Sequence, residues 1–380
     1  MTEQKQYYDR ILQKLQQYTE VTDEQIGREI DELLAAADEL TLEEREEERG
    51  RLWNRLRGFG EVEELLADPE VTEVMINGSE AVFYEKNGCL YRWNREIEAE
   101  SLRELVLRMV GGANRMVNTL SPIADARLPD GSRVNVVLPP ASLIGPVVTI
   151  RRFGEPLPAS RLVEYGMLSE DLMAALLDRV AMKRNFFISG ATGSGKSTLL
   201  GGLAEGIPQS ERIITIEDTA ELRLRHCPNL VRLEAQLQGE RSRITIRELI
   251  RTALRMRPDR IIVGEVRGEE VIDLLQAMNT GHAGSLSTGH AGSPIEVLGR
   301  LETMFLMGME MPVSAIRRQI ASAIDIIIQV ARQQDGSRRV TEIARVGEWR
   351  EQGIELETLV YFDSRRREWI LEKEVSEWGV

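Results

Sequence analysis

The stretch that decides the fold reads Phe186-Phe187-Ile188-Ser189-Gly190-Ala191-Thr192-Gly193-Ser194-Gly195-Lys196-Ser197-Thr198. An apolar run leads into Gly190–Ser197, which fits the pattern G-x-x-x-x-G-K-[ST]. Each fixed position has a mechanical reason. The glycines let the chain curl so that successive backbone N–H groups converge on one cluster of phosphate oxygens. Lys196 is a point charge for the β- and γ-phosphates of ATP, and the Ser197 hydroxyl can hold the Mg²⁺ that bridges them. Leu199 and Leu200 continue as a helix whose positive end faces the anion. Strand, loop and helix in this order make Gly190, Ala191, Thr192, Gly193, Ser194, Gly195, Lys196, Ser197 and Thr198 the expected nucleotide cradle.

Two further strand ends carry carboxylates. Ile213-Ile214-Thr215-Ile216 runs into Glu217-Asp218, and Arg260-Ile261-Ile262-Val263 runs into Gly264-Glu265, with Arg267 two residues on. In open α/β sheets, ligands bind at the C-terminal ends of the strands. Glu265 resembles the carboxylate of a Walker B element, able to complete the Mg²⁺ shell or orient the attacking water. Glu217 is the second candidate for either task, and the sequence does not rank the two. Thr280–His290 holds two of the three histidines. His282 and His290 flank one short strand amid glycines, so both are expected to reach a phosphate edge or to relay its state to a neighbour. No third ligand stands at a spacing that suits zinc. His226, in a loop beside Cys227 and Pro228, reads as structural.

Short apolar strands alternate with helical patterns from residue 160 onward, which implies a mostly parallel sheet with helices on both faces. The expected organisation is a helical bundle over 1–58, an α+β domain over 59–153, a linker over 154–159 and an α/β domain over 160–380. In the first segment, Leu12, Leu15 and Tyr18, then Ile26, Ile30, Leu33 and Leu34, fall at helical spacing, with Thr22 and Thr41 as N-caps. In the second, apolar runs around Asn77-Gly78, Asn87-Gly88 and Pro129-Asp130-Gly131 read as hairpins. Its arginines Arg127, Arg133, Arg151 and Arg152 lie on or beside strands. A hinged domain is a good source of γ-phosphate arginines.

Composition bounds the reading. The chain has 380 residues, a formal charge of −14, and two cysteines without a partner motif. The acidic balance argues against a nucleic-acid footprint. The cysteine usage fits a reducing cytoplasm, and neither a leader peptide nor a spanning segment is legible.

Taken together, Gly190–Ser197, Thr215-Ile216-Glu217-Asp218, Val263-Gly264-Glu265-Val266-Arg267 and Gly281–His290 resemble the ATPases of type II and type IV secretion systems. In that family the last three are the Asp box, the Walker B element and the His box. Asp125–Asn135, Thr149–Phe153, Arg255–Arg260 and Leu275–His282 are most similar to the CpaF-like branch of tight-adherence (Flp) pilus assembly. Here the His box opens Gly-His-Ala-Gly, where an acidic residue is more usual in that branch. The resemblance implies a RecA-like P-loop domain behind a PAS-like α+β domain. It also implies a cytoplasmic homo-hexamer at the inner face of the membrane. Such a motor hydrolyses ATP with Mg²⁺ and drives pilus assembly, retraction or secretion through inner-membrane platform proteins. Lys196, Glu217, Glu265, His282 and His290 would be its catalytic set, with Arg133 and Arg151 supplied by the other domain. A nucleic-acid translocating motor and an ATP-gated scaffold with little hydrolysis are the competing readings.

Overall fold

The computed structural model describes all residues except 1–2, 19–20, 87, 113–116, 153–155, 237–243, 352 and 379–380, and the backbone alone for 3–5. Two compact units result, Met1–Gly154 and Glu155–Val380. Part of the expected linker, residues 154–155, and the Asn87 turn position lie outside the described residues.

The first unit begins with three helices, Glu3–Leu15, Asp23–Ala35 and Leu42–Leu56. Thr22 and Thr41 cap the second and third, each in a reciprocal box with Gln25 or Glu44. Each box satisfies two backbone donors that a helix start otherwise leaves open. Tyr8, Ile11 and Leu15 form the buried stripe of the first helix, packed with Ile26, Ile30, Leu34 and Leu52. Leu12, expected in that stripe, is only partly buried, because the stripe runs one residue earlier.

A six-stranded antiparallel sheet follows: β1 Val71–Asn77, β2 Ala81–Lys86, β3 Cys89–Arg92, β4 Ile123–Arg127, β5 Arg133–Val137 and β6 Val147–Arg151. Its order is β3-β2-β1-β6-β5-β4. The helix Ala99–Gly111 buries Leu102, Leu105, Val106 and Met109 in one core with Val74, Ile76, Val134, Val136, Val148 and Ile150. Strand alternation sends the intervening residues to the other face. On that face the register sets Arg127 opposite Arg133, Arg133 opposite Arg151, and Arg151 opposite Glu73. Three arginines thus share one cross-strand row.

The second unit holds β7 Phe186–Gly190, β8 Ile213–Glu217, β9 Leu230–Glu234, β10 Arg260–Val263, β11 Leu286–Gly289, β12 Ile326–Arg332, β13 Arg338–Arg350, β14 Gly353–Asp363 and β15 Glu368–Leu371. The order is β15-β14-β13-β12-β7-β11-β10-β8-β9. From β12 to β9 all pairs are parallel, and β13, β14 and β15 extend the sheet antiparallel. Every residue of β7, β8, β10 and β11 is buried. Two separate apolar cores cover the two faces, as a parallel sheet requires. Because these strands are parallel, the residues that follow them share one edge. Gly190, Glu217, Gly264 and His290 all end or follow strands there, whereas His282 precedes β11 at the opposite edge.

Candidate active site

Backbone geometry builds the phosphate loop. A Cβ at Gly190 would lie 2.2 Å from the Val330 carbonyl oxygen of β12, so only glycine lets the two strands approach. Gly193 and Gly195 take φ of +72° and +98°, the left-handed region that glycine enters without steric cost. The helix Lys196–Leu203 starts directly after Gly195, placing Ser197 and Thr198 in its first turn with free N–H groups toward an anion.

Lys196 is only 8% exposed. Its Nζ donates to the carbonyls of Gly190 and Ala191, at 3.0 Å each, and stands 3.4 Å from His290 Nδ1. Burial lowers its pKa, and the negative charge of Glu265 works against that. On the other side of the imidazole, His290 Nε2 lies 2.6 Å from Glu265 Oε1. That approach is close but not aligned as a hydrogen bond, so Oε1 keeps an open lone pair. His290 Nδ1 also stands 3.2 Å from the Gly190 carbonyl oxygen, so the imidazole lies against the loop backbone as well as the ammonium. Glu265 Oε2 accepts from Arg267 at 2.7 Å, and Arg267 reaches Asp218 at 3.8 Å. Lys196, His290, Glu265, Arg267 and Asp218 therefore form one chain of contacts along the sheet edge.

Glu217 stands apart from this chain and is 4% exposed. Its Oε2 accepts from the N–H groups of Glu221 and Leu222 at 2.7 and 2.9 Å. Its Oε1 is buried with no donor. Burial pushes the carboxyl pKa up to about 7, against the pull of the Leu222 and Glu221 N–H groups and of Arg232. Gly264 makes room for it, since a Cβ there would meet Glu217 Cγ at 2.8 Å.

The two histidines separate. His290 joins Lys196 and Glu265, but His282 does not, because strand β11 lies between them. His282 is tied locally: its N–H donates to Ala277 and its carbonyl accepts from Ser285 Oγ. Within one chain, His290 follows β11 at the phosphate-loop edge and His282 precedes β11 at the opposite edge. Arg133 and Arg151 belong to the first unit, on exposed positions of the arginine row. Gln329 was not anticipated. Its Nε2 donates to the Ala291 carbonyl at 3.1 Å, and its Oε1 accepts from Ser189 Oγ, tying β7 and β12 to the residue after His290. The signal was present as one buried amide inside the apolar run Ile326–Val330.

The oxygen donors suit Mg²⁺, which prefers hard ligands. Ser197 follows β7, Glu265 follows β10 and Glu217 ends β8, so all three come from the same edge of the sheet.

Comparison with known proteins places the chain in a family. The family model described as Type II/IV secretion system protein matches residues 55–373. A Mycobacterium tuberculosis protein, whose name provisionally assigns it to conjugal transfer, is 36% identical over 318 residues, covering 80% of this chain and 89% of that protein. The type IV secretion system protein PtlH of Bordetella pertussis is 34% identical over 317 residues, covering 73% of this chain and 91% of that one. The X-ray structure of the Legionella pneumophila ATPase DotB is 25% identical with a TM-score of 0.55, covering 79% of each chain. The chain therefore belongs to the type II/IV secretion system protein family and is one of its RecA-like, ATP-hydrolysing motors.

Proposed function

We propose that this ATPase works as a homo-hexamer at the inner face of the cell membrane, where it drives pilus assembly, retraction or secretion through membrane platform proteins. The observation that carries the reading is the contact chain from Lys196 through His290 to Glu265, set beside a buried Glu217 that keeps one acceptor open. The motifs Asp125–Asn135 and Arg255–Arg260 favour the tight-adherence branch. No helix among the described residues is long and apolar enough to cross a membrane, so work on a membrane needs a partner. A net charge of −14 disfavours a polyphosphate backbone as that partner.

In the proposed reaction, Lys196 leaves the carbonyls of Gly190 and Ala191 for the β- and γ-phosphates. The N–H groups of Gly193, Gly195, Lys196, Ser197 and Thr198 hold the remaining phosphate oxygens. Ser197 and Glu265 would hold Mg²⁺, which neutralises charge on the β- and γ-oxygens. Glu217 is the general base for water. It has an unoccupied acceptor and a pKa near the working pH, the two properties such a group needs. Glu265 is engaged on both sides by His290 and Arg267. Its Oε1 keeps a lone pair with which it would hold Mg²⁺, and any charge drawn from Glu265 is felt by the His290–Lys196 pair.

The arginine row supports a role for Arg133 and Arg151. Both side chains stand at exposed positions on adjacent strands, and Arg151 lies 3.7 Å from Glu73. Closure of the first unit over the loop would bring both guanidiniums to the γ-phosphate, and the work stroke follows from that closure. The double variant Arg133→Ala/Arg151→Ala is expected to lose turnover on the order of 10³-fold or more with nucleotide affinity nearly kept, as for removed arginine fingers. Turnover within threefold of the unaltered chain would remove the arginines from the mechanism. The motor reading itself is tested by phosphate release with and without membranes bearing platform proteins, alongside native mass spectrometry. Stimulated turnover by a six-subunit species is expected. A monomer in every nucleotide state, indifferent to those membranes, would sink it.

A further inference from the structure

Strand β13 opens with Arg338, Arg339 and Val340, and all three grip the outside of the phosphate loop or the turn behind it. Arg338 Nε donates to the Gly193 carbonyl at 2.9 Å. Its Cδ lies 3.1 Å from where a Cβ on Gly195 would stand, and Met167 Cε lies 3.0 Å from the same point. Val340 N–H donates to the Met167 carbonyl at 2.8 Å, and Arg339 Nη1 donates to the Gly166 carbonyl at 3.0 Å. The hairpin that carries Arg338 is therefore fixed to the same turn that fills the space beside Gly195.

The bond to Gly193 controls where a neighbouring donor points. In a trans peptide, the carbonyl of residue 193 and the N–H of residue 194 share a plane and point in opposite directions. Drawing the Gly193 carbonyl outward turns the Ser194 N–H inward, where an anion needs donors. The Ser194 N–H meets the Ala191 carbonyl at 3.3 Å, a long bond that a phosphate oxygen readily replaces. Gly193 and Gly195, both at positive φ, have no side chain to hold the loop in this curl. A charge-assisted bond from outside does so instead.

We propose that Arg338 is a positioning residue for the nucleotide phosphates, acting through the Gly193 carbonyl rather than on the γ-phosphate. It rests on the reading of Gly190–Ser197 as the phosphate loop. Because the β-phosphate is shared by both nucleotides, ATP and ADP lose affinity together when the bond is removed.

The test is titration calorimetry with ATP and with ADP, plus steady-state turnover, on the full chain and on Arg338→Ala, Arg338→Gln and Arg338→Lys. A charge-assisted bond of about 1.5 kcal/mol corresponds to roughly tenfold. Arg338→Ala is expected to weaken ATP and ADP about tenfold each, raising KM in parallel with kcat changed less than about threefold. Glutamine carries its amide nitrogen at the same bond count as arginine Nε. Arg338→Gln is therefore expected to recover part of the loss, and Arg338→Lys, whose ammonium donors sit one bond further out, to recover less. Unchanged affinities in Arg338→Ala overturn the proposal. So does loss of ATP binding alone, which would mark a γ-phosphate contact, or rescue by lysine but not glutamine. Failure of the unaltered chain to bind either nucleotide would instead overturn the reading of the loop itself.

Discussion

Replacing Lys196 by alanine is expected to abolish ATP turnover, by on the order of 10³-fold or more, while the chain stays folded. The ammonium is the one cation at the centre of the loop, buried between two carbonyls and an imidazole. Its charge acts on the transferring phosphoryl group in a dry site, where such interactions are strongest. Stability should change little, because two opposing terms nearly cancel. Removing Nζ leaves the Gly190 and Ala191 carbonyls without that donor, at a cost of about 1–3 kcal/mol. It also removes a buried ammonium whose charged form is penalised by desolvation, as its lowered pKa shows. Lys196→Arg should not rescue, since a planar fork does not replace a compact, buried point charge. Phosphate release and a thermal melt on the same preparation check both halves. Turnover within tenfold of the unaltered chain would contradict the assignment of Lys196.

Glu217→Gln is expected to lose turnover about 10²- to 10⁴-fold, the range for a missing general base, and to change how stability depends on pH. The folded-state pKa is about 7, while an unfolded glutamate titrates near about 4.3. The folded chain therefore holds this proton more tightly. The contribution to stability is fully present below about pH 4 and is lost as pH rises through about 7, by up to about 4 kcal/mol. Glutamine keeps an acceptor for the Glu221 and Leu222 N–H groups but carries no charge. The difference in unfolding free energy, unaltered chain minus Glu217→Gln, should thus fall between pH 5 and pH 8. A difference that stays flat, or rises, across that window would show that Glu217 is not desolvated as described.

The parts of the site legible in sequence are those whose chemistry is local. Gly190–Ser197 is readable because a phosphate loop is built from consecutive backbone groups, so its constraints fall at fixed offsets. Glu217 and Glu265 are readable because a carboxylate ending an apolar strand stands out, and parallel strands deliver their ends to one edge. His282 and His290 part because symmetry in sequence hides direction. A residue before a parallel strand and one after it lie at opposite edges, however alike their surroundings. Strands β13 to β15 were not anticipated. Their alternation is dominated by arginine and glutamate, as in Arg338–Arg350, and resembles a solvated surface segment. Arg338 was missed with them, because its partner Gly193 is 145 residues away, and only the fold brings the two together.

The central claim is that one edge of the parallel sheet holds the phosphates between Lys196 and the His290–Glu265 pair, with Glu217 aimed at the attacked phosphorus. Its most direct test is particle imaging of the full chain with Mg²⁺ and a non-hydrolysable ATP analogue. The expected map shows Lys196 Nζ moved from the Gly190 and Ala191 carbonyls onto the β- and γ-phosphates, Glu217 Oε1 facing the γ-phosphate, and Arg133 and Arg151 closing over it in a six-subunit ring. A map in which the analogue is bound while Lys196 still holds those two carbonyls, and Glu217 faces away from the γ-phosphate, would contradict it.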